Sequence, residues 1–156
     1  MTGERLHRTI EPVWSRVRDI RREVGARLAS TPEELRRATM MTASELMENA
    51  IKYGESVPAA PRIEFTMTSD GGEVRIVVVN GTTDVAAVGE LRHRVSELAR
   101  AEDKTALYVS RLQQLLANSA ESGKLGIYRI GSEGGFELEC GYADSVVTVV
   151  AVRRIG

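Results

Sequence analysis

The segment Ser44–Glu55, SELMENAIKYGE, contains the side chains best suited to chemistry. On a helix, Glu45, Asn49 and Lys52 lie on one face because they are separated by four and then three residues. The Asn49 oxygen can ligate a hard cation, and the Lys52 ammonium can offset phosphate charge. The Glu45 carboxylate can orient or deprotonate an attacking hydroxyl. The trio therefore suits a magnesium–phosphate site.

The same three side chains are also compatible with an ordinary exposed helix surface. Charged and polar pairs three or four residues apart stabilise a helix by only ~0.2–0.5 kcal/mol each. Spacing alone favours neither interpretation. Asparagine is a mediocre helix former in a helix interior, and Asn49 therefore tilts the balance toward a functional site.

The first predicted element is an amphipathic helix over residues 4–28. Its apolar positions step by three or four residues: Leu6, Ile10, Trp14, Val17, Ile20, Val24 and Leu28. Exposed apolar residues of such a helix could form a homodimer or bind a partner. Packing within the chain also explains Ile10 and Trp14, and the general tendency of such residues to be buried favours it.

A second helix is predicted to carry the Glu45 segment. Thr31 can cap it, Pro32 suits its first position, and Glu34 would complete a capping box. The helix should run to about Tyr53, with Gly54 as its stop. Its expected core positions are Leu35, Ala43, Leu46, Met47, Ala50 and Ile51.

Two hairpins complete the expected fold. RIEFTMT (62–68) and EVRIVVVN (73–80) flank a Ser-Asp-Gly-Gly turn, and the apolar run of the second arm is typical of a central strand. FELECGY (136–142) and SVVTVVAVRR (145–154) form the other hairpin, around Ala143-Asp144. The order of elements predicts an α+β fold, a two-layer sandwich with helices on one face of a mixed, mostly antiparallel sheet. Two further helices are marked by Val85, Val88, Leu91, Val95 and Leu98, and by Leu107, Leu112, Leu115 and Leu116.

The stretch ELMENAIKYG resembles the N-box of GHKL (Bergerat-fold, histidine-kinase-like) ATPases, and most closely that of anti-sigma-factor serine kinases. The resemblance covers roughly residues 30 to 155, and implies one ATPase domain over residues 1–156. It implies ATP and Mg²⁺ as cofactors, with Glu45 as general base and Asn49 as magnesium ligand. The VVNG and KLGIYRI segments look more like the SiaB-type branch, whose kinases act on a STAS-like antagonist protein.

The chain departs from the family pattern at the adenine box and the ATP lid. Asn80 stands where the family usually places an Asp, and Gly81 is followed by Thr-Thr-Asp rather than by a D-x-G-x-G string. An Asn oxygen can accept the adenine amino hydrogen bond but carries no charge. Thr148 is a candidate adenine-side residue or an ordinary strand residue. The lid is one glycine short of the family's usual pattern, with Gly123, Lys124, Leu125 and Gly126 as its phosphate-contact candidates.

Three functions are consistent with this pattern. The first is a serine/threonine kinase of a bacterial partner-switching pathway, which transfers the γ-phosphoryl group of ATP to a STAS-like antagonist. The second is a non-catalytic pseudokinase that acts as a protein-interaction module. The third is a scaffold that binds ATP without transferring phosphate.

Composition argues against other classes. A formal net charge of −1 and a pI of about 6.2 give no reason to expect nucleic acid or a membrane as partner. Lone Cys140 rules out an intramolecular disulfide and is expected to pack in a strand, while His7 and His93 fall in predicted helices and make a metal site improbable. The charged start and the lack of a long apolar stretch predict a cytoplasmic protein. Four arginines form an expected solvated helix face: Arg21, Arg22, Arg36 and Arg37.

Overall fold

The computed structural model of the protein describes residues 3–117 and 125–155, which form one sheet covered on one side by helices. The strands are β1 (Glu4–Ile10), β2 (Ile63–Asp70), β3 (Glu73–Gly81), β4 (Glu137–Ala143) and β5 (Val146–Arg154). The helices are α1 (Ser15–Arg27), α2 (Glu33–Tyr53), α3 (Val85–Arg100), α4 (Lys104–Ala117) and α5 (Gly126–Ser132).

The sheet has the strand order β1-β2-β3-β5-β4, so β2, β3 and β5 are interior strands and β3 is the central one. One face of each strand is buried beneath the helices, with Phe65, Ile76 and Ala151 fully shielded from solvent. The predicted α+β two-layer sandwich is thus confirmed, as is the central position of β3, the apolar second arm of the first hairpin. The sheet is not mixed, because all four pairings among the described strands are antiparallel.

The N-terminal prediction of one helix over residues 4–28 is wrong in its first part. Residues Glu4–Ile10 form edge strand β1, and α1 begins only at Ser15. Leu6 and Ile10 fit both elements, because a spacing of four residues places two side chains on the same face of a strand as well as of a helix. His7 consequently lies on a strand. Trp14, for which packing within the chain was the favoured expectation, is instead 59% exposed.

Helix α2 ends where predicted, but its start differs. The Thr31 hydroxyl donates to the Leu28 carbonyl at 2.6 Å instead of capping the helix, and Glu34 pairs with Arg153 at 2.6 Å, so no capping box forms. Gly54 follows the last helical residue in an extended conformation, with φ −75°. The predicted core positions of this helix are buried, except that Ile51 is half-buried.

Both hairpins form at tight two-residue turns. Gly71 and Gly72 have φ of 61° and 82°, as a mirror-image turn requires. The second turn is centred on Asp144 and Ser145, with φ of 54° and 64°, one residue later than predicted.

The later helices differ in how deeply they pack. Helix α3 buries Val88, Val95 and Leu98 as predicted. Helix α4 forms where its leucines predicted it, but none of its residues is fully buried, and Leu116 is 82% exposed. Cys140 packs against the core on β4, and burial raises the pKa of its thiol despite the nearby charge of Arg92. None of the helices among the described residues is long and apolar enough to cross a membrane.

Candidate functional site

Helix α2 presents Glu45 and Asn49 toward the junction of α2, the sheet and α5. The Glu45 side chain is 20% exposed, whereas the next acidic residue, Glu48, faces solvent. Asn49 lines a small cavity one helical turn further on. The structure therefore brings together two of the three side chains that the spacing placed on one face. Lys52 diverges from them: it is exposed, and its ammonium lies 5.2 Å from the centre of the Tyr53 ring.

Glu45 is held in a partly desolvated, closed environment. Its carboxylate lies 3.4 Å from the Arg129 guanidinium on α5. The same carboxylate lies against Gly126, where an added Cβ would overlap Glu45 Oε2. Burial, followed by repulsion from Glu48, raises the pKa of the Glu45 carboxyl, and the attraction of Arg129 offsets this only in part. A carboxylate with a raised pKa is a stronger base than an exposed one.

The cavity beside Glu45 is narrow and mainly apolar, with a volume of about 50 Å³. Strands β3 and β5 form its floor, α2 and α3 form its walls, and Gly126 and Ile127 of α5 close one end. Asn49 and Asn80 are two of its few polar side chains. The residues contributed by the floor and by α2 are Val78, Asn80, Val147, Val149, Leu46, Asn49, Ala50 and Tyr53.

Asn80 sits at the end of the cavity floor and is 8% exposed. Its amide nitrogen donates to the Gly81 carbonyl at 3.1 Å, and this fixes the amide orientation. The Glu55 backbone N–H donates to the same carbonyl at 2.7 Å. Among the described residues the Asn80 oxygen accepts no hydrogen bond and so remains available as an acceptor.

Replacing Asn80 with aspartate is expected to destabilise the protein by about 1–3 kcal/mol at neutral pH. The introduced carboxylate would remove the donor to the Gly81 carbonyl and oppose one oxygen with another. Urea unfolding of the variant and the wild type measures the difference. At acid pH the protonated carboxyl can donate again, and the difference should shrink. Unchanged stability of Asn80→Asp at pH 7 would contradict this role.

The loop from β3 to α3 is fixed by Glu55, a residue to which no sequence pattern pointed. The Glu55 carboxylate accepts hydrogen bonds from the Thr83 N–H and hydroxyl at 2.8 Å and from the Thr82 hydroxyl at 3.0 Å. The bonds from Thr83, and then that from Thr82, lower the pKa of Glu55. Asp84 then caps α3 by accepting from the Ala87 N–H at 3.0 Å. The Thr-Thr-Asp string thus builds a hydrogen-bonded loop between β3 and α3.

The remaining candidates lie apart from the cavity. Thr148 faces the opposite side of the sheet, because its neighbours Val147 and Val149 point into the cavity. Gly81 packs against the segment after α2. Leu125 lines a separate cleft. Two lid candidates, Gly123 and Lys124, lie outside the described residues.

The cleft that Leu125 lines is open, about 800 Å³ in volume, and lies between α3 and α4. At its base Glu97 accepts hydrogen bonds from Arg111 and, at 2.8 Å, from the Tyr128 hydroxyl. Burial opposes ionisation of Glu97, but the bonds from Arg111 and Tyr128 outweigh it and lower the pKa of this carboxyl. The cluster ties α3, α4 and α5 together. Sequence periodicity missed it because its members are 14 and 31 residues apart.

The fold is shared with a chain in the crystal structure of the SiaB–SiaC complex from Pseudomonas aeruginosa. The superposition has a TM-score of 0.71 and covers 96% of this chain and 89% of that chain, at 15% sequence identity. No family model and no curated protein sequence matches the chain. The two chains therefore have the same α+β architecture.

Proposed function

We propose that this protein is an ATP-binding, serine/threonine kinase-like regulator of a bacterial partner-switching pathway that phosphorylates a STAS-like antagonist. The observation that carries the proposal is the convergence of Asn49 and Asn80 on one apolar cavity, with the carboxylate of Glu45 beside it. An apolar slot with a few converging polar groups and a carboxyl of perturbed pKa is typical of a ligand site.

The residues present fit a nucleotide and a magnesium ion. The free oxygen of Asn80 can accept the adenine amino group, and the apolar floor formed by Val78 and Val149 can cover the ring. The Asn49 oxygen can contribute one ligand to Mg²⁺. Bound ATP supplies the phosphoryl group. Glu45 accepts the proton of the attacking serine or threonine hydroxyl, and its desolvation makes it a better base for that task.

Nucleotide binding requires the cavity to widen. Its volume of about 50 Å³ is well below the roughly 300–1,000 Å³ of typical ligand pockets. The ion pair between Glu45 and Arg129 also has to break, because it occupies the carboxylate that would receive the proton. Arg129 is 44% exposed in its side chain and can move into solvent.

A protein partner is supported by the shared fold. The neighbour of known structure was solved as a complex of SiaB with SiaC. A chain of this architecture can therefore take part in a protein complex. We propose that this protein likewise binds a regulatory protein.

Magnesium-ATP is expected to raise the melting temperature of the purified protein, and Asn49→Ala is expected to remove that rise. A ligand at 100 times its dissociation constant stabilises a fold by ~2.7 kcal/mol, and each kcal/mol moves the melting temperature of a domain of this size by roughly 2–4 °C. Thermal melts with ATP, ADP and GTP, each with and without magnesium, measure the effect. Glu48→Ala, one residue away and exposed, is the matched control and should retain the rise. No rise at millimolar ATP would overturn the proposal.

A second candidate is a non-catalytic interaction module, and the closed state of the site favours it. The narrow cavity and the Glu45–Arg129 pair are also what a fold without a ligand would show. In that case Mg-ATP has no effect on melting, and Asn49→Ala leaves the affinity for a protein partner unchanged.

A further inference from the structure

Arg129 on α5 is placed directly against the proposed general base. Within residues 3–117 and 125–155, no other cation lies within ion-pairing distance of Glu45. The guanidinium is shared between two carboxylates: Nε donates to Glu133 at 2.7 Å, and Nη1 lies 3.4 Å from Glu45 Oε1. The bond to Glu133 is the shorter one and spans a single turn of α5. Arg129 is therefore anchored by Glu133 and only loosely held by Glu45.

The contact with Arg129 opposes the chemistry proposed for Glu45. Burial raises the pKa of the Glu45 carboxyl, whereas the charge of Arg129 lowers it. A cation that stays beside a general base weakens that base, and here it also occupies an oxygen that has to take up a proton. The pair is consistent with the proposed reaction only if Arg129 exchanges Glu45 for another anion when the substrate binds.

The transferred phosphoryl group has to lie close to the Arg129 guanidinium. A general base works within about 2.6–3.2 Å of the hydroxyl whose proton it takes, and that oxygen approaches the reacting atom to about 3–3.5 Å. The γ-phosphorus therefore lies at most roughly 6–7 Å from a Glu45 oxygen. Arg129 Nη1 is already 3.4 Å from Glu45 Oε1. A guanidinium that turns about its bond to Glu133 can reach the phosphoryl oxygens.

We propose that Arg129 is a catalytic residue that leaves Glu45 and binds the γ-phosphoryl group of the nucleotide, an inference that rests on the proposed kinase function. The substrate hydroxyl oxygen attacks the γ-phosphorus, and the bond to the β–γ bridging oxygen breaks, so that ADP leaves with the electron pair. The hydroxyl proton passes to the freed Glu45 carboxylate. Arg129 stays protonated and stabilises the charge on the transferred oxygens, which its planar, paired N–H groups match. Glu133 is a positioning residue that holds Nε.

Two other cations near the cavity are less suited to this role. Lys52 is exposed, and its ammonium lies over the ring of the next residue. Arg94 lines the cavity from α3, but it pairs with Glu90 at 3.1 Å. Neither makes an ion pair with Glu45 in the described part of the chain. The distance to the general base thus distinguishes Arg129 from both.

The test is the preference of the protein for a nucleotide that carries a γ-phosphate. Calorimetry with Mg-AMP-PNP, which has this phosphate, and with Mg-ADP, which lacks it, gives the ratio of the two affinities. Arg129→Gln should lower this ratio about tenfold, because a charged hydrogen bond to the γ-phosphate is lost, and should keep the ADP affinity within about threefold. Arg129→Lys keeps the charge but not the paired N–H groups, and should fall between the two. Circular dichroism verifies that both variants fold.

Arg37→Gln is the matched control for the change of charge. Arg37 is an exposed arginine on α2 that pairs with Glu33 at 2.9 Å rather than with Glu45. Its replacement should leave the wild-type ratio of affinities. The second measurement is the release of phosphate from Mg-ATP under single-turnover conditions, which Arg129→Gln should slow by about 10²-fold or more.

Two results would overturn the role of Arg129 alone. One is a wild-type ratio of affinities in Arg129→Gln. The other is faster phosphate release in that variant, which would make Arg129 only a restraint on Glu45. Both results leave the proposed function standing, since they require a wild type that binds the nucleotide. A wild type that binds neither Mg-AMP-PNP nor Mg-ADP would overturn the proposed function and this inference together.

Discussion

Glu45→Gln is expected to reduce phosphoryl transfer to the protein substrate by about 10²–10⁴-fold, which is the contribution typical of a general base. The amide cannot accept the hydroxyl proton, but it keeps the size of the side chain beside Gly126 and Arg129. Mg-ATP binding should therefore persist, and the thermal shift with nucleotide should remain within about a factor of three in affinity. Transfer of labelled phosphate from ATP, followed under single-turnover conditions, measures the loss.

Glu48→Gln is the matched control for this substitution. Glu48 lies three residues along the same helix, is exposed, and is the second contributor to the raised pKa of Glu45. Its replacement should leave phosphoryl transfer within about threefold of the wild type, because only the screened repulsion between two carboxylates changes. Full activity in Glu45→Gln would show that another group takes the proton.

The same variant also measures how Glu45 affects folding. Because the folded pKa of Glu45 is raised above its unfolded value, its contribution to stability is present below the unfolded pKa and is lost as pH rises through the folded pKa. Glu45→Gln should therefore be more stable than the wild type at pH 7–8, and the two should converge near pH 4. Loss of the Arg129 pair works against this gain, but burial affects the pKa of Glu45 more strongly than Arg129 does.

The sequence predicted the parts of the fold in which local signals agree. Helix α2 and the two hairpins have strong periodicity and turn residues, and each formed within one or two residues of its predicted bounds. Strand β1 was missed because its two core side chains, Leu6 and Ile10, fit both periods. Arg8, midway between them, lies on the same face of the strand and forms an ion pair with Glu23 of α1 at 2.8 Å. Only the tertiary structure provides this contact, so the sequence did not distinguish the strand from a helix.

Spacing predicted only the helical half of the candidate site, whereas Asn80 and Gly126, which also line the cavity, were candidates through the resemblance to the ATPase family. Glu45 and Asn49 follow from spacing on one helix, since a helix fixes which residues share a face. The placement of Thr148 depends on the parity of β5 in the sheet, and a shift of one residue in register would have brought it into the cavity. The partners Arg129 and Gly126 of Glu45 lie on a short helix more than 80 residues away. No local pattern could have connected them.

Close packing explains why β3 ends in a glycine, Gly81, although no D-x-G-x-G sequence follows it. A Cβ at this position would overlap the Val57 side chain and lie 2.6 Å from the Glu55 carbonyl oxygen and 3.1 Å from that of Ala60. Two of these three neighbours are backbone atoms, which cannot rotate away. The Gly81 carbonyl in turn accepts the Glu55 N–H and the Asn80 amide, so a shift of this residue would disturb the cavity floor.

Gly81→Ala is accordingly expected to destabilise the protein by about 1–3 kcal/mol, the usual cost of overpacking, and to weaken any nucleotide-dependent thermal shift. Gly89→Ala is the matched control: Gly89 lies inside α3, and a Cβ there meets no atom within 4 Å. Because alanine is the better helix former, this variant should be more stable than the wild type by about 0.5–1 kcal/mol. Urea unfolding of the three proteins separates the two effects. If Gly81→Ala were as stable as the wild type, the loop after α2 would have to move freely away from β3, and the cavity would lack the rigid floor on which a nucleotide site depends.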